Sequence, residues 1–278
     1  MPTKRLRWHN ALGLVAALIF ALFPIFWMVA TSFKPIGEWA ATPPIWLPRE
    51  PSFANYVPLI ETYQDNFITA RGAGWHNVLD SFIVAGSATA LSLFVGLLGA
   101  IGFSRYRAGG DHLAIAILAV RAIPPVTIAI PFLVLFGALG MHDTHIGVIL
   151  ANAVFTVPFA FWMLKSFIDD VPIALEEQAM MDGLGRWRAH FTVTVPLIRG
   201  GLVATGLFIF ILNWSEFLIT VTLTEKTVVT LPVALRLHEG LPGVQAAIAV
   251  CAALPIVIAG FAIQRHLARA FTLGAIKR

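Results

Sequence analysis

Six stretches of the chain stay apolar long enough to cross a bilayer: roughly 11–33, 78–103, 113–139, 146–168, 199–222 and 243–263. A helical span needs about 20 predominantly apolar residues, so each stretch predicts one membrane helix. The third carries Arg121, Pro124, Pro125 and Pro131. Proline removes a helix hydrogen bond and clashes with the preceding turn, so a broken or kinked helix is expected there. The first stretch follows a basic start, Lys4, Arg5 and Arg7. Its apolar run is too long for a cleaved signal core and reads as a retained first helix. The expected architecture is all-α and polytopic, one transmembrane domain over residues 1–278.

Composition agrees. The chain is 58% apolar and only 12% charged, against about 25% charged in soluble domains. There is too little polar surface to cover a soluble globule. A pI near 9.6 would suggest nucleic acid in a soluble protein. Here the positive charge has another reading. With the N-terminus inside, thirteen Lys and Arg fall in inner segments and five in outer ones, with Arg121 within a span. That asymmetry predicts cytoplasmic termini. Cys251 is the one cysteine, sits in an apolar run, and reads as a small packing residue. Gly96, Gly99 and Gly102 put small residues at spacing three on the second span, which permits close helix packing.

Two connections are too long for tight turns. The outer one, about 34–77, is rich in proline and aromatics. The inner one, 169–198, reads "VPIALEEQAMMDGLGRWRAHFTVTVPLIRG" from Val171 and holds the densest charge in the chain. Asp169, Asp170 and Pro172 form a helix start, and "IALEEQAMM" is a run of helix formers. Asp182-Gly183 is a helix stop or turn, and the basic, aromatic "GRWRAHF" follows, with Asp182 a candidate cap for it. The result is a helix–turn–helix protrusion exposing Met180, Met181, Leu184 and Trp187. By physics alone it is either an amphipathic segment on lipid headgroups or a docking knob for a cytoplasmic partner.

Glu177, Ala179, Asp182-Gly183 and Pro196 stand at the spacing of a known signature. The segment resembles the cytoplasmic EAA loop of permease subunits in binding-protein-dependent ATP-binding-cassette importers. Gln178, Leu184, His190 and Val195 depart from the family pattern. "SFKP" (Ser32 to Pro35), Asn55-Tyr56, "RAIPP" (Arg121 to Pro125), "NWSEFL" (Asn213 to Leu218), "TLPVAL" (Thr230 to Leu235) and "GAIKR" (Gly274 to Arg278) are similar to its carbohydrate-uptake branch. The resemblance implies a bacterial inner-membrane protein working with two ATPase subunits, a second and different permease, and an extracytoplasmic solute-binding protein. It implies that Glu177, Ala179, Asp182, Gly183, Trp187 and Pro196 couple the chain to the ATPase. ATP and magnesium would bind the partners. None of the lysines follows a glycine, so the chain carries no phosphate-binding loop and is not itself expected to be an enzyme.

Polar residues inside the spans are the remaining candidates. Arg121 reads either as a pore-lining cation or as a group satisfying carbonyls freed by Pro124 and Pro125. Asn213, Trp214, Ser215 and Glu216 form a polar cluster in the fifth span. They offer the hydrogen bonds and aromatic faces that hold a sugar, or else they bond between helices. His142, Asp143 and His145 supply too few ligands for a metal and read as a polar outer turn. An ion-coupled carrier centred on Glu216 and a non-transporting membrane scaffold are the rival functions. Neither accounts for the 169–198 signature.

Overall fold

Every regular element among the described residues is helical in the computed structural model, which describes residues 8–60 and 74–274. Side chains are described for the same residues except 8–11, 111, 118, 121 and 263–274. The helices are α1 (Trp8–Ser32), α2 (Val57–Ile60), α3 (Trp75–Tyr106), α4 (Gly110–Ala122), α5 (Pro125–Ala138), α6 (His145–Asp169), α7 (Ile173–Met181), α8 (Arg186–Ala189), α9 (Val195–Leu197), α10 (Arg199–Trp214), α11 (Leu218–Leu223), α12 (Leu231–Leu237) and α13 (Pro242–Gly274). A π-helical turn, His190–Thr194, joins α8 to α9.

Four helices are long and apolar enough to cross a membrane: Leu12–Ser32 of α1, then α3, α6, and Pro242–Ala262 of α13. A fifth arises if Arg186–Leu197 and Arg199–Trp214 count as one span, though the two meet at 76°. The stretch at 113–139 is broken, as its prolines predict. It forms α4 and α5, of 13 and 14 residues, parted at Ile123 and Pro124 with Pro125 opening α5. The stretch at 199–222 is also broken, which its sequence did not suggest. α10 ends at Trp214 and α11 begins at Leu218. The Glu216 carboxylate accepts the backbone N–H groups of Ile219 (2.7 Å) and Thr220 (3.0 Å), so it starts a new helix where the old one stops.

The centre of the bundle is α3 against α6. A Cβ placed on Gly96 would lie 2.4 Å from the Ala160 Cβ, and one on Gly99 3.3 Å from the Phe161 ring. The two backbones therefore approach as the small-residue spacing predicts. Ala100, Ile101, Phe161, Leu164 and Ile168 fill the lower part of this seam. α10 packs on α3, α6 and α13, and α1 lies along α13. α1 buries none of its apolar window, and Phe20 is 83% exposed, as befits a surface that meets lipid rather than water.

At one end of the bundle, side chains close the helix termini. The Asn55 amide donates to the carbonyls of Ser32 (2.9 Å) and Lys34 (2.8 Å), and the Tyr56 hydroxyl to Ser32 Oγ (2.8 Å). "SFKP" and Asn55-Tyr56 are thus one clasp that occupies the last carbonyl of α1 and that of Lys34 just beyond it. Nearby, Asp80 accepts the Val229 N–H (3.0 Å) and meets His145 Nε2 (2.8 Å). Asp143 accepts four successive N–H groups, from Glu225 to Val228. The "MHDTH" acid therefore anchors a loop, and among the described residues no cluster suits a metal.

The Gly96 contact predicts that Gly96→Ala lowers stability by about 1–3 kcal/mol through overpacking. Gly86→Ala, with nothing within 4 Å of the added Cβ, should leave it unchanged or slightly raised. Thermal unfolding of the two variants in detergent checks this.

Candidate functional site

The 169–198 segment hangs from the other end of α3 and α6. α7 begins after Pro172, and its last turn closes with Asp182 N–H on the Gln178 carbonyl (3.0 Å). Gly183 then takes φ +94, a left-handed conformation that a side chain disfavours. Gly185 caps α8, so Asp182 stands at the C-terminus of α7 and does not cap the second helix as its sequence suggested. Pro196, which has no N–H to give, sits just before the 76° bend into α10.

One acid holds the segment in place, and it is Glu176 rather than Glu177. Glu176 is 2% exposed. Its carboxylate accepts from Arg105 Nε (2.9 Å) and from the Thr194 hydroxyl, and His190 Nδ1 lies 3.1 Å away. The same Arg105 donates to the carbonyls of Ile168 (3.1 Å) and Val171 (2.9 Å), which link α6 to α7. Tyr106 and His190 Nε2 share a 2.7 Å bond. Burial pushes the Glu176 carboxyl up. Hydrogen bonds from Thr194 and Arg105, with the charges of Arg105 and His190, outweigh burial and hold the group below the ordinary glutamate range.

Most of the residues the signature picks out lie on the surface of the segment. Glu177, Asp182 and Gly183 are exposed, as is Pro196, and Ala179 is half-buried. Trp187 is 58% and Met181 88% exposed, while Met180 and Leu184 are half-buried. Glu177, Met180 and Arg186 border a notch of about 250 Å³ that reaches in to Glu176. A projecting, partly apolar knob is thus braced from behind by a buried ion pair.

Deeper in the bundle, the α4–α5 and α10–α11 breaks face α6 across a cavity of about 290 Å³. Asn152, Phe155, Phe159, Asn213 and Glu216 are among its walls. The four-residue polar cluster is dispersed around the end of α10. Asn213 lines the cavity and donates to Thr89 Oγ1 (3.2 Å). Trp214 turns away, buried against Phe82 and Phe210, and its indole donates to the Ala252 carbonyl (2.8 Å). Ser215 is exposed and bonds back to the Ile211 carbonyl (2.8 Å). The Arg121 side chain lies outside the described residues.

A bundle of broken helices with this knob matches known proteins. Residues 88–273 match the family described as "binding-protein-dependent transport system inner membrane component". The chain belongs to that family. It is the inner-membrane permease subunit of an ATP-binding-cassette importer, and hydrolysis lies on separate subunits. A probable ABC transporter permease protein of Sinorhizobium fredii is 31% identical over 99% of this chain and 96% of its own. A sulfoquinovosyl glycerol transport system permease protein of Agrobacterium fabrum is 31% identical over 94% of this chain and 90% of its own. A diacetylchitobiose uptake system permease protein of Streptomyces coelicolor is 30% identical over 97% and 96%. In fold, the permease resembles a chain of a bacterial ABC transporter involved in import of the acidic polysaccharide alginate. The TM-score is 0.72 and identity 20%, covering 95% of this chain and 99% of that one.

Sequence reasoning missed Arg105, Glu176, His190 and Asn152. Two adjacent glutamates give no sign of which one faces inward. For Asn152 a signal existed, a lone amide within an apolar span.

Glu176 has a folded-state pKa below its unfolded value. The stability it contributes is present above the ordinary glutamate pKa and is lost as pH falls through the lowered one. Thermal stability of the permease should therefore fall on acidification below the ordinary carboxylate range. Glu176→Gln should be less stable at neutral pH and show a shallower acid loss, read from melting curves across pH.

Proposed function

We propose that the permease moves a sugar or related polyol. It crosses the membrane six times with both termini cytoplasmic, and the 169–198 segment docks on an ATPase. The Lys and Arg asymmetry supports the orientation. α4–α5 and α10–α11 then serve as broken spans, a form tolerated where irregular backbone is buried in protein or lines a cavity. Relatives named for a sulfoquinovosyl glycerol and for diacetylchitobiose support the substrate class.

The observation that carries the reading is the exposed Glu177–Trp187 knob braced by Arg105–Glu176. Two ATPase copies work with this permease and a different second one, and an external binding protein docks on loops that include 34–77. ATP and magnesium bind only the ATPase copies. Closure of the ATPase pair pushes on Glu177, Ala179, Asp182, Gly183, Trp187 and Pro196. The brace makes the knob, α3 and α6 move as one body, so the push becomes a change of access. Asn213 and Glu216 face the passage, Trp214 and Ser215 support its wall, and Arg121 lies beside the α4–α5 break.

The test is a mild detergent pull-down of the tagged permease from its native membrane, beside Glu177→Lys and Gly183→Pro. An ATPase and a second permease should come with the wild type. Both variants should remain inserted, lose most of the ATPase and fail to support uptake. Retention of ATPase and uptake by both variants rejects the docking role. Isolation of the wild type alone, under conditions that keep other complexes whole, rejects the assembly and returns attention to ion-coupled uptake.

A further inference from the structure

The wall of the cavity between the two helix breaks includes a buried side-chain amide that no protein group satisfies, that of Asn152. Asn152 is 1% exposed, and neither its Nδ2 nor its Oδ1 has a hydrogen-bond partner. Buried amides are almost always paired, so this one calls for a cause. Its polar neighbours are engaged. The Thr156 hydroxyl bonds Ser92 (2.7 Å) and the Asn152 carbonyl (2.9 Å), and Asn213 Nδ2 reaches Thr89. Glu216 accepts from Ile219 and Thr220.

We propose that Asn152 is a hydroxyl-binding subsite within this subunit, taking a pair of adjacent hydroxyls on the cargo as it passes. The inference rests on the sugar or polyol reading and adds a specific contact to it. A side-chain amide sets a donor beside an acceptor. Adjacent hydroxyls match it, one accepting from Nδ2 while the other donates to Oδ1. A fully deprotonated anion such as sulfate offers acceptors only and leaves Oδ1 unpaired. A cation leaves Nδ2 unpaired. The Glu216 carboxylate in the same wall further disfavours anions. Phe155 and Phe159 supply apolar faces for the C–H surface of a sugar ring. A volume of about 290 Å³ lies just under the roughly 300–1,000 Å³ range of small-molecule sites, the scale of one ring.

The amide is a liability to the fold and an asset only to a ligand, and this separates a binding role from a structural one. Asn152→Leu keeps the approximate size and removes an unpaired buried polar group, so the fold should be as stable or more so. Uptake should fall about tenfold, the effect of losing one well-made polar contact to the cargo.

The experiment uses native cells lacking the gene, complemented with wild type, Asn152→Leu or Asn152→Gln. A labelled panel of monosaccharides, disaccharides and polyols first identifies what the wild type restores. KM and maximal uptake of that solute are then measured for each variant, with thermal melting of the purified complexes. The same is done for deoxy analogues lacking single hydroxyls. The inference predicts an intact melting temperature, raised KM or reduced uptake for Asn152→Leu, and partial recovery with Asn152→Gln. It also predicts that one deoxy analogue is handled poorly by wild type but no worse by Asn152→Leu than the parent solute. Unchanged uptake by Asn152→Leu overturns the subsite and leaves the sugar reading standing. A loss of uptake that tracks a fall in melting temperature also overturns it, as a packing role. Restoration of no member of the panel by wild type overturns the sugar reading, and the subsite with it.

Discussion

Arg105 stands at the end of the α3–α6 seam, where the 169–198 segment leaves the bundle. Its guanidinium spends three donors at once, one on the Glu176 carboxylate and two on the carbonyls of Ile168 and Val171. A planar fork can do this, whereas the point charge of lysine cannot. The group thereby fixes the end of α3, the end of α6 and the start of α7 relative to one another. Removing either charge leaves the other buried without its ion-pair partner, a cost of about 3–5 kcal/mol for pairs of this kind. The pair is weak grounds for overall stability but strong grounds for fixed geometry. The coupling role proposed above needs that stiffness, because a hinge at the base of the knob would absorb a motion instead of transmitting it.

The second constraint comes from lipid. Backbone polar groups in a bilayer must find partners within the protein, so irregular backbone survives only when covered or lining a cavity. Both breaks obey this. At Ile123 and Pro124, the Thr127 N–H and hydroxyl take the Pro124 carbonyl, and at Ser215–Phe217 the Glu216 carboxylate takes two N–H groups. The breaks face each other across the cavity that holds Asn152.

Much of the fold was legible in the sequence for physical reasons. Apolar length marked the four long helices able to cross a membrane, the Pro124-Pro125 pair marked one break, and the spacing of Gly96 and Gly99 marked the α3–α6 contact. The left-handed turn at Gly183 followed from a glycine after helix formers. The break at Glu216 was not legible, because a carboxylate that caps the next turn looks the same in sequence as one buried midway along a helix. The cluster from Asn213 to Glu216 was read as one site. A helix turns about 100° per residue. The end of α10 therefore sends Asn213 into the cavity and Trp214 into the packing against Phe82. The signature singled out Glu177 and gave no sign of Glu176, because the partners of Glu176, Arg105 and Thr194, come from distant parts of the chain.

The central claim is that the 169–198 knob rides rigidly with α3. The most direct measurement is the distance between spin labels at Met181 and at Phe94, both exposed, with Cys251 replaced by alanine. It should be made in the assembled transporter with and without ATP. The account predicts one narrow distance distribution that shifts by no more than about 1–2 Å between states, the scale of a side-chain adjustment rather than a hinge. A shift on the order of a helical turn, about 5 Å, or a second population appearing with ATP would contradict it, and the knob would then be hinged at its base.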